Sequence, residues 1–388
     1  MASLKYDSAS PIGLVLSGGG ARGAFQVGVW EVLLRDPRGM RALPAVVSGT
    51  SAGALNGALI AAGVPPEEML EFWLDLGRKP PVIANEVFFR SLRSALIRLV
   101  AREPGRALGQ RGRELKILGG LLWKHRWYSQ SGLAAMALEY ALTARFDTLS
   151  DLLDSIVTSY LFDTSPIKDR IIKALRHRKI NANDVALAIN VVDVQTGGVV
   201  RIVNRKPKKS QGASDAHYRY EPEITPEMIL ASASIPLLFN SVRVGKLELW
   251  DGGVLVNTPL APTVALGARR IVPVLVTPRY KGSSGGMETF GDAVERVADS
   301  FLENAYSVDR KLLLVRNELA AVRGESDDHG KVVELFRAIR PESSRTFNAG
   351  SYLYFEPKAM TAMYEAGKRA ATHWLDHGPL VDSRDQEQ

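Results

Sequence analysis

The sequence predicts an α/β fold built on a largely parallel sheet. A unit of strand, glycine-rich turn and helix occurs twice within the first 62 residues, first from Ile12 and again from Ala45. The first predicted strand, 12–16 (IGLVL), has no polar side chain, which is typical of parallel strands covered on both faces. Hydrophobic residues make up 46% and charged residues 23% of the 388, so the chain can bury a large core.

A glycine-rich loop follows the first strand. It contains Gly18-x-Gly20-x-x-Gly23, and the helix after it carries Phe25 and Val29 on one face. The loop fits a dinucleotide site, but the next predicted strand ends without the carboxylate that would bind the ribose. It also fits an oxyanion hole, because glycine N–H groups are unobstructed and the helix dipole favours negative charge. A structural turn without chemistry is the third interpretation.

The second unit is centred on Gly49-x-Ser51-x-Gly53. Apolar residues 45–47 precede it, and small residues at helical spacing follow. This order is typical of a nucleophile elbow, a sharp turn that pushes a serine hydroxyl out of the fold. A glycine two residues before and after the serine lets the strand and the helix approach closely. The motif is short, so a strand–helix turn without chemistry stays open at this point.

The other elements follow from apolar periodicity and turn signals. Helices are predicted over 65–76, 131–144, 149–160, 165–178, 226–232, 290–322 (as one helix or two) and 360–375. Strands are predicted over 185–192, 199–203, 247–250, 269–276 and 351–356, whereas 332–340 fits either a helix or a strand. We expect an exposed loop over 205–216 and a loose polar tail over 379–388.

The positive charge of the chain is concentrated in one segment. Residues 78–126 contain 12 Lys/Arg against 3 Asp/Glu, a local net charge of +9 in a chain of net charge +7, so the remainder carries −2. Apolar and aromatic residues alternate with these cations. The pattern favours peripheral contact with an anionic membrane or packing on the protein's own core; nucleic acid is the weakest interpretation, and we expect none.

Several function classes are excluded or disfavoured by what the sequence lacks. There is no cysteine, which excludes disulfides, thiolate catalysis and zinc–cysteine sites. The N-terminal residues form no apolar leader, and no run approaches ~18 apolar residues. We therefore expect a cytoplasmic protein, with peripheral membrane contact through 78–126 as one of the open interpretations.

Four short blocks together resemble the patatin-like phospholipase family. They are Gly18-Gly19-Gly20-Ala21-Arg22-Gly23, Gly49-Thr50-Ser51-Ala52-Gly53, Ala231-Ser232-Ala233-Ser234-Ile235-Pro236 and Asp251-Gly252-Gly253, in the family's order. The resemblance covers 12–62 and 228–277 well and little between them. It implies one three-layer α/β/α patatin-like domain over 1–388, with a central mostly parallel sheet and a helical, basic insertion over 78–180.

The resemblance also implies a reaction and a set of residues. Ser51 would be the nucleophile and Asp251 its base, in a Ser–Asp dyad that forms an acyl-enzyme. The implied substrate is the fatty-acyl ester of a phospholipid or lysophospholipid. The oxyanion hole would comprise Gly18, Gly19 and Gly20 with Arg22, and motif support would come from Gly23, Gly49, Gly53, Gly252 and Gly253. The scheme needs no cofactor and no metal ion, and no acidic metal cluster is visible.

Other functions use the same residues or the same fold. Acyl transfer to an acceptor other than water would need the same dyad, and a catalytically idle lipid-binding or regulatory protein would keep the fold. A Ser–Asp–His order would need His329, His373 or His377, none of which lies in a glycine-rich loop at a strand end.

Overall fold

The computed structural model describes residues 4, 10–102, 153–181, 185–207, 217–278, 290–323, 332–342, 347 and 349–382. The chain divides into two compact units. The first unit comprises 1–82, 164–236 and 241–388, and the second comprises 83–163 and 237–240. Residues 103–152 of the helical insertion predicted over 78–180 lie outside the described residues, so the insertion stays a prediction.

A nine-stranded sheet forms the centre of the first unit. Its strands are β1 Ile12–Leu16, β2 Val46–Gly49, β5 Ala186–Asp193, β6 Val199–Val203, β7 His217–Tyr220, β9 Val242–Val244, β10 Leu247–Asp251, β11 Arg270–Val274 and β12 Glu334–Leu335. The order is β12-β11-β1-β2-β5-β10-β9, and β6 pairs with both β5 and β7. Neighbours from β12 to β5 are parallel, whereas β10 runs antiparallel to β5 and to β9. The sheet is therefore largely parallel, as predicted.

Helices cover both faces of this sheet. In chain order they are α1 Gly23–Arg35, α2 Ala52–Ala61, α3 Pro66–Arg78, α5 Ser165–Leu175, α6 Pro226–Ala231, α7 Leu260–Ala265, α8 Phe290–Arg323 and α9 Pro357–Asp376. Alternate residues of β1 enter separate cores: Leu14 packs with Phe25 of α1, whereas Val15 packs in the core that contains Leu260 of α7 and Leu313 of α8. These two cores make the three layers that the resemblance implied.

The second unit contains a small sheet and one described helix. Strands β3 Ile83–Ala84, β4 Tyr160–Asp163 and β8 Leu237–Phe239 lie in the order β3-β4-β8, and helix α4 spans Glu86–Arg102. Asn85 links the start of α4 to β4, because its side chain donates to the carbonyl oxygen of Tyr160 over 3.0 Å. The basic stretch 103–126 and the helix predicted over 131–144 lie outside the described residues.

Several predicted elements differ from the structure. The strand predicted over 351–356 is wrong: Ala349–Tyr352 is a 3-10 turn and α9 begins at Pro357. The end of the helix predicted over 149–160 is also wrong, because Tyr160 begins β4. Strand β7 was not predicted, since 217–220 follow a polar stretch. At the start of the tail that we expected to be loose, Asp382 instead donates its amide to Leu335 over 2.6 Å.

Candidate active site

Ser51 lies on a strained turn between β2 and α2. Its φ of 54° and ψ of −124° place a non-glycine residue in a sparsely populated region, and α2 begins at the next residue. The two flanking glycines make the turn sterically feasible. A Cβ on Gly49 would lie 2.2 Å from the carbonyl oxygen of Gly53, and one on Gly53 would lie 2.2 Å from that of Leu16. The local geometry is that of the predicted nucleophile elbow.

Asp251 meets Ser51 at the end of β10. The Asp251 residue is 3% exposed and the Ser51 residue 6% exposed, and the Ser51 side chain lies within hydrogen-bonding reach of the Asp251 carboxylate. The carboxylate also accepts the Gly253 amide over 2.7 Å. Burial raises the pKa of Asp251 from 3.8 to about 7, although the hydrogen bonds from Ser51 and Gly253 act in the opposite direction. Near neutral pH this carboxyl group can both accept and release a proton.

The register on β5 explains why the two side chains meet. Gly49 of β2 pairs with Ile189, and Asp251 of β10 pairs with Val191. Both neighbours lie on the edge of β5 opposite to β6. Because β2 is parallel and β10 antiparallel to β5, their carboxyl ends approach each other along this edge. The sheet therefore brings together two residues that are 200 positions apart in the chain.

The glycine loop runs beside the serine. A Cβ on Gly18 would lie 3.1 Å from the Cβ of Ser51, so a larger residue there would crowd the nucleophile. The Gly18 amide donates to the carbonyl oxygen of Asn257 over 3.2 Å. In the part of the chain that the structure describes, the amides of Gly19 and Gly20 have no recorded acceptor. The Gly18 amide of the predicted oxyanion hole is thus engaged by Asn257, whereas the roles of Gly19 and Gly20 stay predictions.

Arg22 lies behind the loop, fully buried. Its Nη1 is 3.0 Å from Oδ1 of Asp299, and its Nε donates to Oγ of Ser351 over 2.7 Å. The guanidinium carbon lies 3.7 Å from the ring centroid of Tyr352, within the range of a cation–π contact. These contacts favour a role in ordering the loop over a direct contact with an oxyanion.

The remaining predicted glycines are also at points of close approach. A Cβ on Gly23 would lie 2.3 Å from the indole ring of Trp73, and one on Gly252 would lie 2.5 Å from the carbonyl oxygen of Asn190. Gly253 differs, because its contribution is the amide that binds Asp251. A larger side chain at Gly23 or Gly252 would therefore clash, whereas Gly253 binds the Asp251 carboxylate through its amide.

Sequence reasoning missed the residues that hydrogen-bond to Thr50 and Ser51 at the turn. The amide of Ser51 donates to Oγ of Ser232 over 3.0 Å, and that hydroxyl donates to the carbonyl oxygen of Asn190 over 2.6 Å. Thr50 donates its hydroxyl to the carbonyl oxygen of Val256 over 3.0 Å. Ser232 was part of a quoted motif without a role. Asn190 carried only one signal, a polar residue inside an otherwise apolar strand.

A second missed network links α2 to the glycine loop. Asn56 donates to Oε1 of Gln26 and to the carbonyl oxygen of Gly23, both over 2.9 Å, and accepts the indole N–H of Trp73 over 2.9 Å. Gln26 in turn donates to the carbonyl oxygen of Ser17 over 2.7 Å. The side chains of Asn56, Gln26 and Trp73 are all buried, so the network fixes the distance between the two helices that flank the site.

His373 and His377 lie on α9, with ring centroids 4.1 Å apart, and no described contact joins either ring to Ser51 or Asp251. His329 lies outside the described residues. Within the described ranges, no group of three or more His, Asp or Glu side chains is arranged to hold a metal ion.

The fold and the site together define an α/β protein with a buried serine elbow facing a buried carboxylate. The model of the family described as patatin-like phospholipase matches residues 14–264. The chain therefore belongs to the patatin-like phospholipase family, which confirms the resemblance read from the four motifs. Membership of this family supports a lipid hydrolase activity on a lipid substrate. No curated protein matches the chain.

Three solved structures are distantly similar. VipD from Legionella pneumophila is 15% identical, with 96% of this chain and 68% of that chain covered and a TM-score of 0.37. The ExoU–SpcU complex of Pseudomonas aeruginosa has 17% identity, coverages of 78% and 52%, and a TM-score of 0.26. Human GIVD cytosolic phospholipase A2 is 13% identical, with 94% of this chain and 60% of that chain covered and a TM-score of 0.32. These TM-scores are low, so we draw no conclusion from the likenesses.

None of the described helices is long and apolar enough to cross a membrane. The longest, α8, has 34 residues but interleaves charged side chains along its whole length.

Proposed function

We propose that the protein is a serine acyl hydrolase that cleaves fatty-acyl esters of phospholipids or lysophospholipids through a Ser51–Asp251 dyad. The observation that carries this proposal is that the buried side chains of Ser51 and Asp251 lie within hydrogen-bonding reach of each other. A serine needs a base, because its own hydroxyl is scarcely ionised at neutral pH. Family membership supports the lipid substrate class.

In the proposed first half-reaction, Asp251 accepts the proton of Ser51 as the hydroxyl oxygen attacks the ester carbonyl. Negative charge develops on the carbonyl oxygen, where the amides of Gly19 and Gly20 and the N-terminus of the adjoining helix stabilise it. The protonated Asp251 then donates its proton to the departing alcohol. The fatty acid remains esterified to Ser51, and Asp251 is again unprotonated, because the proton of Ser51 has left with the alcohol.

In the second half-reaction, water replaces the alcohol. Asp251 accepts a proton from the water molecule, which attacks the acyl-enzyme, and returns it to Ser51 as the ester bond breaks. A pKa of about 7 suits both transfers, because general acid–base catalysis is most efficient when the pKa lies near the working pH. The fatty acid leaves, and the free enzyme is regenerated without a cofactor.

The described part of the basic segment supports a further element of the proposal, contact with an anionic membrane. On α4, Arg90, Arg93 and Arg98 are exposed, as are the apolar residues Val87 and Phe89. Cations beside exposed apolar side chains suit a headgroup boundary. Co-sedimentation with anionic and with zwitterionic vesicles tests this point: we expect binding only to the anionic vesicles, and equal binding to both would contradict it.

The reaction is tested by mass spectrometry of a mixed lipid extract after incubation with the wild-type protein and with Ser51→Ala. We expect free fatty acid and the matching lysolipid or deacylated product with the wild-type protein alone. Adding glycerol or lysolipid as acceptor distinguishes acyl transfer, which would yield new esters instead. If neither product forms while the protein still binds lipid, the idle lipid-binding alternative is favoured.

A further inference from the structure

The glycine loop is held by residues that lie beyond the stretch shared with the family. The family model ends at residue 264, whereas the side chain of Arg22 contacts Asp299, Phe347, Ser351 and Tyr352. Asp299 lies on α8, and Ser351 and Tyr352 lie on the 3-10 turn before α9. We call Asp299, Ser351 and Tyr352 the clasp.

The clasp contacts the guanidinium group of Arg22, which also donates to the carbonyl oxygens of Val276 and Phe347. The Arg22 residue is 0% exposed and Asp299 is 1% exposed. Tyr352 stacks its ring on the guanidinium and also donates its hydroxyl to Oδ1 of Asp299, the same oxygen that binds Nη1 of Arg22. One carboxylate oxygen therefore joins the arginine of the loop to the aromatic residue that covers it.

The clasp also contacts the backbone of the loop. Gly20 has a φ of 54°, and a Cβ at this position would lie 2.1 Å from the carbonyl oxygen of Tyr352. The amide of Arg22 donates to the carbonyl oxygen of Gly19 over 3.1 Å, which closes the turn. The turn that contains Gly19 and Gly20 is thus fixed on one side by its own hydrogen bond and on the other by the clasp.

Burial makes this arrangement sensitive to the loss of one partner. Removing one member of a buried ion pair leaves an uncompensated charge, which the structure relieves by moving that charge toward water. If Asp299 loses its charge, Arg22 must move, and Arg22 is separated from Gly20 by one residue. Displacements of about 1 Å in a positioning group can cost about a hundredfold in rate.

We propose that Asp299 is a positioning residue for the oxyanion-binding amides, acting through Arg22 with the help of Ser351 and Tyr352. The inference rests on the proposed function, since it assigns the clasp to the same reaction. It adds that the chain after residue 264, outside the family match, is needed to orient the amides of Gly19 and Gly20.

Asp299→Asn tests the proposal, with Asp382→Asn as the matched control. Asp382 forms a partly buried ion pair with Arg310, which lies on the same helix as Asp299, and both side chains are 10% exposed. Hydrogen exchange of peptides covering 17–24 reports the order of the loop, and hydrolysis of a chromogenic acyl ester reports kcat and KM. If Asp299 only stabilised the fold, both substitutions should change kcat and the hydrogen exchange of 17–24 to the same extent.

We expect Asp299→Asn to lower kcat at least ~10-fold and to change KM less than about threefold, because positioning acts on the transition state. Exchange in 17–24 should accelerate. Asp382→Asn should leave kcat and this exchange unchanged. Equal kcat losses in the two variants, or unchanged exchange of the loop in Asp299→Asn, would overturn the proposal.

Tyr352→Phe is the second variant if Asp299→Asn does not fold. It removes one hydroxyl and keeps the ring on Arg22, so we expect faster exchange in 17–24 with a smaller loss of kcat; no change in either would overturn the proposal. Ser51→Ala distinguishes a failure of the proposed dyad from a failure of the proposed role of the clasp. Should it hydrolyse the ester like the wild type, the proposed dyad is wrong, whereas the exchange result still decides the role of the clasp.

Discussion

The elbow around Ser51 and the loop around Gly20 are fixed in opposite ways. The elbow depends on near neighbours: Gly49 and Gly53 contact each other across the turn, and Gly53 abuts the end of the adjacent strand β1. The loop depends on distant partners, because Asn257 binds its first amide and Asp299 binds its arginine. One half of the site is thus set by local sterics, and the other is set by tertiary contacts.

The elbow and the loop are therefore expected to respond differently to substitution. The nucleophile should keep its strained conformation in almost any variant that folds, because strand, turn and helix define it together. The orientation of the loop amides should respond to changes far along the chain. Variants of the elbow and the dyad are therefore expected to abolish chemistry or folding, and variants around the loop to reduce the rate by degrees.

The largest effect is expected for Ser51→Ala, which removes the nucleophile and should abolish hydrolysis of a chromogenic acyl ester. Ser48→Ala is its matched control. Ser48 lies three residues earlier on β2, and its buried hydroxyl has no hydrogen-bond partner among the described residues. The control should hydrolyse the ester at the wild-type rate. Activity in Ser51→Ala equal to that of Ser48→Ala would show that another residue attacks.

The next largest effect is expected for Asp251→Asn, which keeps an acceptor for the Gly253 amide but cannot take the proton of Ser51. General-base catalysis contributes about 10²–10⁴-fold, and kcat/KM should fall by that amount. In the wild type the base must be unprotonated. Its kcat/KM should therefore rise with pH and level off above about 7, the pKa to which burial raises Asp251. If kcat/KM did not change between about pH 5 and about pH 9, Asp251 would not be the base.

Asp251→Asn should also change the pH dependence of stability. Its pKa is raised from 3.8 to about 7 in the folded protein, so between these values the folded state binds more protons than the unfolded state. The wild type therefore loses stability as pH rises through this window. The Tm of the variant minus that of the wild type should grow from low pH toward pH ~7 and then stay constant. A difference that shrinks with rising pH would show that the carboxylate is stabilised, not penalised, by its site.

A moderate effect on stability is expected for Gly53→Ala. The new Cβ would lie 2.2 Å from a backbone oxygen of Leu16, which cannot move without distorting β1. Overpacking of this kind costs about 1–3 kcal/mol of unfolding free energy. Gly198→Ala is the control, because its Cβ would lie 3.3 Å from a side-chain oxygen of Thr196. Chemical denaturation of both variants should show a loss in the first alone; equal stability would mean that the elbow is less tightly packed than described.

The smallest effect is expected for His373→Ala. The side chain is exposed on α9, and no described contact joins it to the dyad. We expect kcat and KM to stay within about twofold of the wild type, which is the outcome for a residue that does not bind the transition state. A loss of catalysis in a folded His373→Ala protein would replace the dyad by a triad.

The same comparison accounts for what could be predicted from the sequence. The elbow is encoded within five residues, so Gly49-x-Ser51-x-Gly53 predicted its strand, turn and helix. The largely parallel sheet followed from the apolar strands. The proximity of Asp251 could not be derived from pattern alone, because it depends on how β10 pairs with β5. It was implied by the resemblance, and the family match now supports that resemblance.

What was missed depends on distant contacts. Tyr352 and its neighbours are aromatic and apolar enough to predict a strand, yet the segment forms a 3-10 turn that stacks on Arg22. Nothing near Asp299 in the sequence marks it as the partner of an arginine 277 positions earlier. Ser232 was visible in a motif, but its bond to the Ser51 amide needed the structure. Short-range sterics can be inferred from a sequence, whereas tertiary partners require a fold.

The central claim is that Ser51, activated by Asp251, attacks an acyl carbonyl group. Covalent labelling with an acyl-chain fluorophosphonate, followed by peptide mapping with mass spectrometry, tests it most directly. We expect one adduct on Ser51 in the wild type and in Ser48→Ala, much slower labelling of Asp251→Asn, and none in Ser51→Ala. An adduct on another residue, or labelling of Ser51→Ala at the wild-type rate, would contradict the account.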